Sequence, residues 1–312
     1  MNKEQNFVSA VIYVHNAATR IERFLQTVMT VLQEHFEHAE IICVNDCSQD
    51  ESVAVIRKAS ALAPKGLSVS IVNMSYFHGL EAAMDAGRTL AIGDFVYEFD
   101  NTVLDFNCEE IMTVYQTSLQ GYDIVSASPL KKMKLTSAMF YKIFDGFTVL
   151  SYKMQTESFR ILSRRVINRI SGMNKTIPYR KALYANCGLK TTNLTYAVAT
   201  KTAYPVDKAE QKYRSMLATD SLILFTNFGY SFAKGMTIVM ILAALFVALY
   251  SVVIYLVGSP VEGWTTTLLF LSFSFFGLFA ILTIVIKYLQ LILNMVFRRK
   301  SFSFESVEKL TK

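Results

Sequence analysis

VSAVIYVHNAATRIERFL at residues 8–25, IICVNDCSQDES at 41–52 and HGLEAAMDAGRTLAIGDFVYEFDN at 78–101 decide the fold. Val8–Val14 is a short apolar run of the kind a buried strand carries. Ala18–Glu37 then places Ile21, Phe24, Leu25, Val28 and Leu32 at helical spacing. The same alternation recurs. Glu40–Val44 reads as a strand, Glu51–Ala63 as a helix stopped by Pro64 and Gly66, and Ser68–Val72 as a third strand. His78–Ala91 reads as a helix closed by Gly93, and Asp94–Phe99 as a fourth strand. Strands alternating with helices at this spacing predict an α/β fold, a parallel sheet covered on both faces. Ligands of such sheets bind beyond the carboxyl ends of the strands. That rule gathers His15–Asn16, Asn45–Asp50 and Asp100–Asp105 around one crevice.

Beyond Cys108 the pattern loosens. Glu109–Leu119 predicts a helix, Asp123–Ala127 a strand and Lys131–Leu150 a basic, then apolar, helix. Phe159–Leu162 opens a further amphipathic helix that runs through Ser163–Ile170, and Thr191–Ala199 holds a strand. Tyr213–Phe232 predicts an amphipathic helix of the interfacial kind.

Two uncharged apolar runs come next, MTIVMILAALFVALYSVVIYLV at 236–257 and TTTLLFLSFSFFGLFAILTIVI at 265–286. Each matches the roughly 20 residues that span a bilayer as a helix. GSPVEGW between them is a turn, so the pair predicts a transmembrane hairpin with Trp264 at the interface. Lys234 precedes the first run, and Lys287, Arg298, Arg299 and Lys300 follow the second. The connection has neither Lys nor Arg, which places both chain ends and the head on the cytoplasmic side. The N-terminal apolar stretch is short and lacks a cleavage site, so no signal peptide is expected.

The net charge of +6 and pI near 9.0 suit a head beside anionic lipid or on phosphorylated substrates. Helix-turn-helix, finger and RNP patterns are absent from the sequence, so nucleic acid is not an expected partner. The four cysteines form no CxxC pair and the four histidines no metal-ligand spacing, so neither set predicts a metal centre.

The three quoted segments resemble the nucleotide-sugar domain of inverting family 2 glycosyltransferases with the GT-A fold. There a strand and asparagine turn are followed by VDDGSxD, an Ala/Gly-rich helix and an acidic DxD. ESFRILSRRVINRI at 157–170 resembles the DFRLLSRR segment of polyprenyl-phosphate glycosyltransferases. QKYRS, the hairpin ending GWT and KYLQLILNMVFRR extend the likeness over nearly the whole chain. The resemblance implies a GT-A head at 1–210, with a nucleotide-binding half at 8–107 and an acceptor half at 108–210. An interfacial helix at 211–232, spans at 236–257 and 265–286, and a cytoplasmic tail at 287–312 complete it. The implied activity is transfer of a sugar from a nucleotide diphosphate, UDP foremost, to undecaprenyl phosphate or a similar polyprenyl phosphate at the inner membrane. Its product would serve glycosylation of a cell-surface polysaccharide. Copies would associate, if at all, through the hairpin. A degenerate relative scaffolding a polysaccharide complex is the alternative.

The implied nucleotide site is Asn16, Asp46 and Asp100. Asp46 either accepts from the base or caps its turn, and Asp50 is an N-cap for the following helix. A DxD bridges Mg²⁺ or Mn²⁺ to the diphosphate, but here Asp100 is followed by Asn101 and Thr102. Asp105 is the nearest second acid, so the expected metal site, Asp100 with Asp105, is a weakened one. The acid expected before Phe159 is Ser158, with Glu157 one position earlier. Asp100, Glu157 and Arg160 are the candidate catalytic groups. Lys131, Arg160, Arg164 and Lys212 are the candidate acceptor-phosphate groups, since cations there meet either that phosphate or lipid headgroups.

Overall fold

The computed structural model describes residues 3–64, 66–130, 157–172, 179–199, 208–225, 263–297 and 304–311, with scattered positions between 232 and 246. Lys131, the helix expected at 131–150 and most of the run 236–257 lie outside the described residues. Two compact units divide the chain, one comprising 1–141, 150–217 and 298–312, the other 142–149 and 218–297.

The first unit is built on an eight-stranded sheet of order β7-β5-β6-β4-β1-β2-β3-β8. Its first half follows the alternation read above: β1 Val8–Val14, α1 Ala18–His35, β2 Ala39–Asn45, α2 Ser52–Ser60, β3 Leu67–Met74, α3 Leu80–Leu90 and β4 Phe95–Phe99. β1 pairs in parallel with both β2 and β4, and β2 pairs in parallel with β3. Successive side chains of a strand point to opposite faces. Val8, Ala10, Ile12 and Val14 accordingly join Phe24, Leu25 and Val28 in one core. Val11 and Tyr13 join Ala83, Met84 and Ala86 in the other. Both faces of β1 are therefore buried, which explains its unbroken apolar run.

The second half departs from the reading at two places. After α4 Glu109–Leu119 and β5 Ile124–Pro129, the segment Phe159–Ser163 is a strand, β6, and not the opening of a helix. A short apolar run cannot be assigned by periodicity alone. Pairing decides it: β6 lies antiparallel between β4 and β5. Helix α5, Arg164–Gly172, follows at once, then α6 Arg180–Asn186 and β7 Thr191–Tyr196, which is parallel to β5. At the far edge β8, Phe304–Lys309, pairs antiparallel with β3. Arg57 grips Glu308 at 2.9 Å with two nitrogen–oxygen contacts from Nη2, and Asn73 donates to Ser306 at 3.0 Å. A strand edge left open is a template for unwanted pairing, and the tail closes this one.

Helix α7, Lys208–Phe225, follows, with its apolar residues spread around the helix and not along one strong face. In the second unit α8, Trp264–Phe297, is one helix of 34 residues that runs past the expected end at 286. Counted over the described residues alone, no helix is long and apolar enough to cross a membrane, and many side chains of α8 fall outside that set. Those that are described form a stripe: Leu271, Phe275, Leu278, Leu282, Val285, Leu289 and Ile292 are each 46–59% exposed at three- and four-residue spacing. Gly277 is buried against Met240, which fills the space a Cβ would take. Lys287 Nζ meets Asp220 Oδ1 at 3.1 Å.

Gly87 sets how closely α3 lies on the sheet. A Cβ there would come 2.5 Å from both Val11 Cγ1 and Val44 Cγ2. Gly87→Ala should therefore destabilise the protein by roughly 1–3 kcal/mol despite alanine's better helix propensity. A thermal midpoint equal to or above that of the parent chain would contradict this packing.

Candidate functional site

The carboxyl ends of β1, β2 and β4 meet as expected, and backbone geometry there is tightly specified. Asn16 and Cys47 hold φ values of 46° and 53°, a region few non-glycine residues visit. Cross-bonds compensate: Asp46 N donates to Val14 O at 2.9 Å, Gln49 N to Asn16 Oδ1 at 2.9 Å, and His15 Nδ1 lies 2.7 Å from Asp46 O. Asp50 accepts from Ala18 N at 2.9 Å and from Ser52 N at 3.1 Å. It therefore ties the start of α1 to that of α2, although the N-cap of α2 is Glu51 and not Asp50 as the sequence offered.

Asp46 is fully buried. Its Oδ1 accepts from His78 N at 2.8 Å, and its Oδ2 from Gly79 N at 2.8 Å and Tyr13 Oη at 3.1 Å. Burial raises its pKa, and the His78 and Gly79 amides oppose that rise. Asp46 thus caps the turn that leads into α3 and not its own turn. Gly79, with φ 84°, fits that turn, and Tyr213 of α7 occupies the room where a Cβ would project.

Asp100 ends β4 inside a cluster of buried charge. Register explains it: the antiparallel pairing sets Glu98 directly opposite Arg160, and residues so placed interact across the strands. Arg160 Nη1 contacts Glu98 Oε2 at 2.9 Å, Nη2 contacts Asp100 Oδ2 at 2.7 Å, and Nε contacts Glu157 Oε2 at 3.1 Å. Arg180 at the start of α6 completes the set. Its Nη2 lies 2.8 Å from Asp100 Oδ1, Nη1 2.8 Å from Glu98 Oε2 and Nε 2.9 Å from Glu81 Oε2. Tyr184 Oη donates to Glu98 Oε1 at 2.7 Å. Burial alone would raise the pKa of Asp100, but Arg160 and Arg180 reverse this and hold it at about 2. The same two guanidiniums hold Glu98 below the usual range against its burial.

Several expected site residues are thereby reassigned. Arg160 is 1% exposed and engaged by three carboxylates, so it is an internal counter-ion and not a group open to a phosphate. Arg164 donates to Gly93 O and Ala91 O, which puts it at the amino end of β4, across the sheet from the crevice. Glu157 is committed to Arg160, with Lys181 Nζ at 3.9 Å. Lys212 is exposed on α7. Arg180, Glu98, Glu81 and Arg20 were not singled out in sequence. An acid inside the buried run FVYEF was the available signal, because it must have a partner.

The expected metal pair is not assembled. Both oxygens of Asp100 are taken by guanidiniums, while Asp105 Oδ1 accepts from Tyr196 Oη at 2.8 Å. Thr102, where the second acid would stand, is buried and accepts from Arg20 Nε at 2.8 Å. Among the described residues no three acid, histidine or cysteine groups converge. A divalent ion would have to displace a guanidinium from Asp100 and would find no second acid beside it, so these residues do not fit the ion.

Residues 9–103 match the family described as Glycosyl transferase family 2. That segment runs from the start of β1 to just beyond β4, the parallel half of the α/β sheet. It is 29% identical over 210 residues to "Uncharacterized glycosyltransferase YkcC" of Bacillus subtilis (strain 168), covering 64% of each chain. It is 26% identical over 202 residues to "Prophage bactoprenol glucosyl transferase homolog" of Escherichia coli (strain K12), covering 63% of this chain and 65% of that one. The chain thus spans just under two thirds of the length of these relatives. A solved structure titled "Crystal Structure of a Mycobacterial Protein" superposes with a TM-score of 0.50 at 13% identity, over 70% of this chain and 74% of that one. That likeness concerns the fold alone.

Two outcomes are expected from this geometry. Asp46→Asn turns an amide donor toward amides that need an acceptor, and should cost roughly 1–3 kcal/mol in a denaturant titration; unchanged stability would remove the capping role. Asp100 has a folded-state pKa of about 2, below the unfolded value of about 3.9. Its ion pairs therefore contribute fully above pH ~4, and their contribution is lost as pH falls toward 2. Acid unfolding followed by circular dichroism should flatten over that window in Asp100→Asn, and an unaltered acid limb would contradict the assignment.

Proposed function

We propose that this protein transfers a sugar from a nucleotide diphosphate, UDP foremost, to a polyprenyl phosphate, with inversion at the anomeric carbon. The observation that carries the reading is the match of residues 9–103 to family 2, whose Tyr13, His15, Arg20 and Asp100–Thr102 line one crevice beyond β1 and β4 with Glu210. The likeness to a bactoprenol glucosyl transferase homolog extends over 202 residues, too long for the nucleotide half alone, which supports the choice of acceptor.

In the proposed reaction a phosphate oxygen of the acceptor attacks the anomeric carbon. A new carbon–oxygen bond forms, the bond to the nucleotide diphosphate breaks, and the diphosphate departs with the electron pair. A lipid monophosphate has a second pKa near 6 and is largely a dianion at neutral pH, so the step requires positioning more than a general base. This accommodates Ser158 where the family carries an acid. Ser158 Oγ instead lies 2.6 Å from Tyr196 Oη, beside Asp105.

The exposed apolar stripe of α8 and the packing of Gly277 on Met240 support a membrane hairpin, and the basic residues flanking the two runs, Lys234, Lys287, Arg298, Arg299 and Lys300, support a head on the cytoplasmic side. Small residues at such positions let transmembrane helices approach closely. The stripe extends about 30 Å along the helix at 1.5 Å per residue, comparable to the hydrocarbon thickness of a bilayer. The head cannot be cut away from the later segments of the chain, because β8 belongs to its sheet and Tyr213 packs at Gly79.

The test uses the full chain in detergent micelles with radiolabelled nucleotide sugars and undecaprenyl phosphate. A lipid-linked sugar of inverted configuration is expected. Absence of transfer across UDP-, GDP- and dTDP-sugars, with the nucleotide nonetheless bound, would favour the scaffolding alternative.

A further inference from the structure

The corner that should decide how the diphosphate is held contains cations belonging to the protein. Asp100, the single acid left from the expected pair, is 9% exposed at its side chain and shared between Arg160 and Arg180. Those guanidiniums are buried themselves, at 1% and 3%, and are fixed from behind by Glu98, Glu81 and Glu157. None of the four acids is a spare ligand, because each already faces a guanidinium. At position 102 the replacement is more telling. A carboxylate there would have added negative charge, but Thr102 offers a hydroxyl, and Arg20 of α1 donates to it at 2.8 Å. The charge at the second ligand position has changed sign.

We infer that this protein holds its nucleotide diphosphate without a divalent cation, Asp100 being committed to Arg160 and Arg180 and Arg20 being the residue that meets the diphosphate. Arg20 is suited to that role, being half-buried, lining the crevice with His15 and Asn101, and anchored through Nε on Thr102. A guanidinium matches phosphate oxygens in a planar fork. Glu210 of α7 lines the same crevice and limits how much net positive charge the wall presents, so binding should be selective for a diphosphate that reaches Arg20. Asp100 in this account is a positioning residue that keeps the two buried guanidiniums in register.

This inference rests on the nucleotide-transferase reading but can fail separately from it. Manganese alone is titrated into the full chain in micelles and followed by electron paramagnetic resonance, with and without UDP. No saturable site should appear below ~1 mM metal. UDP affinity measured by calorimetry in EDTA and in Mn²⁺ should agree within about 2-fold, whereas Arg20→Gln should weaken UDP at least ~10-fold with the thermal midpoint unchanged. A stoichiometric Mn²⁺ site that Asp100→Asn abolishes, or UDP binding tightened ~10-fold or more by the metal, would overturn the inference. Failure of UDP to bind under every condition would instead sink the choice of nucleotide, and the manganese titration alone would still decide whether the corner takes an ion.

Discussion

The cross-strand contact between Glu98 and Arg160 is the constraint on which the rest of the head depends. Both are essentially buried, in the middle of the sheet, and a charge in that position is tolerated only when paired and hydrogen-bonded. A one-residue slip of β6 against β4 would turn Arg160 to the opposite face and take from Glu98 its cross-strand partner. The pair thus fixes register, and register in turn places Asp100, Ser158 and the start of α5. Arg180 then closes the cluster from α6, linking the last part of the head to Glu81 on α3.

The crevice inherits its shape from these ties. It lies at the ends of β1 and β4, and the neighbouring turns are held by Asp46, Asp50 and the amides they accept from. Little of this polar wall is spare. Most of the acids that a sequence reading would send to a ligand are satisfied by the protein itself. The side chains that line the crevice with Asp100 include His15, Arg20 and Asn101, with Glu210 from α7. The parallel half of the sheet thus keeps its architecture while the acids at its carboxyl end are paired internally.

How much was legible in the sequence depended on which interactions were local. β1 to β4 and their helices could be read because each buries two faces of a continuous apolar run or one face of a helix, and both patterns lie within a single segment. β6 was misread as helical, since three apolar residues around Arg160 carry no usable period and only its neighbours in the sheet make it a strand. β8 was invisible for a related reason: FESVEK is polar, and its partner β3 lies more than two hundred residues earlier in the chain. Asp100 was correctly placed at the strand end, but its partner Arg180 stands in a segment with no marked pattern, so the metal expectation had nothing to oppose it. Glu98 was the overlooked clue, an acid in an otherwise apolar strand.

The central claim is that buried guanidinium–carboxylate pairing organises this head, and a double-mutant cycle on Glu98→Gln and Arg160→Gln measures it most directly. Unfolding free energies of the parent, both single variants and the double variant give the coupling between the two sites. The account predicts single losses of roughly 3–5 kcal/mol and a coupling of at least ~1 kcal/mol, the double variant being less damaged than the sum. Single losses that add within ~0.5 kcal/mol would show that the two side chains act independently, and would contradict it.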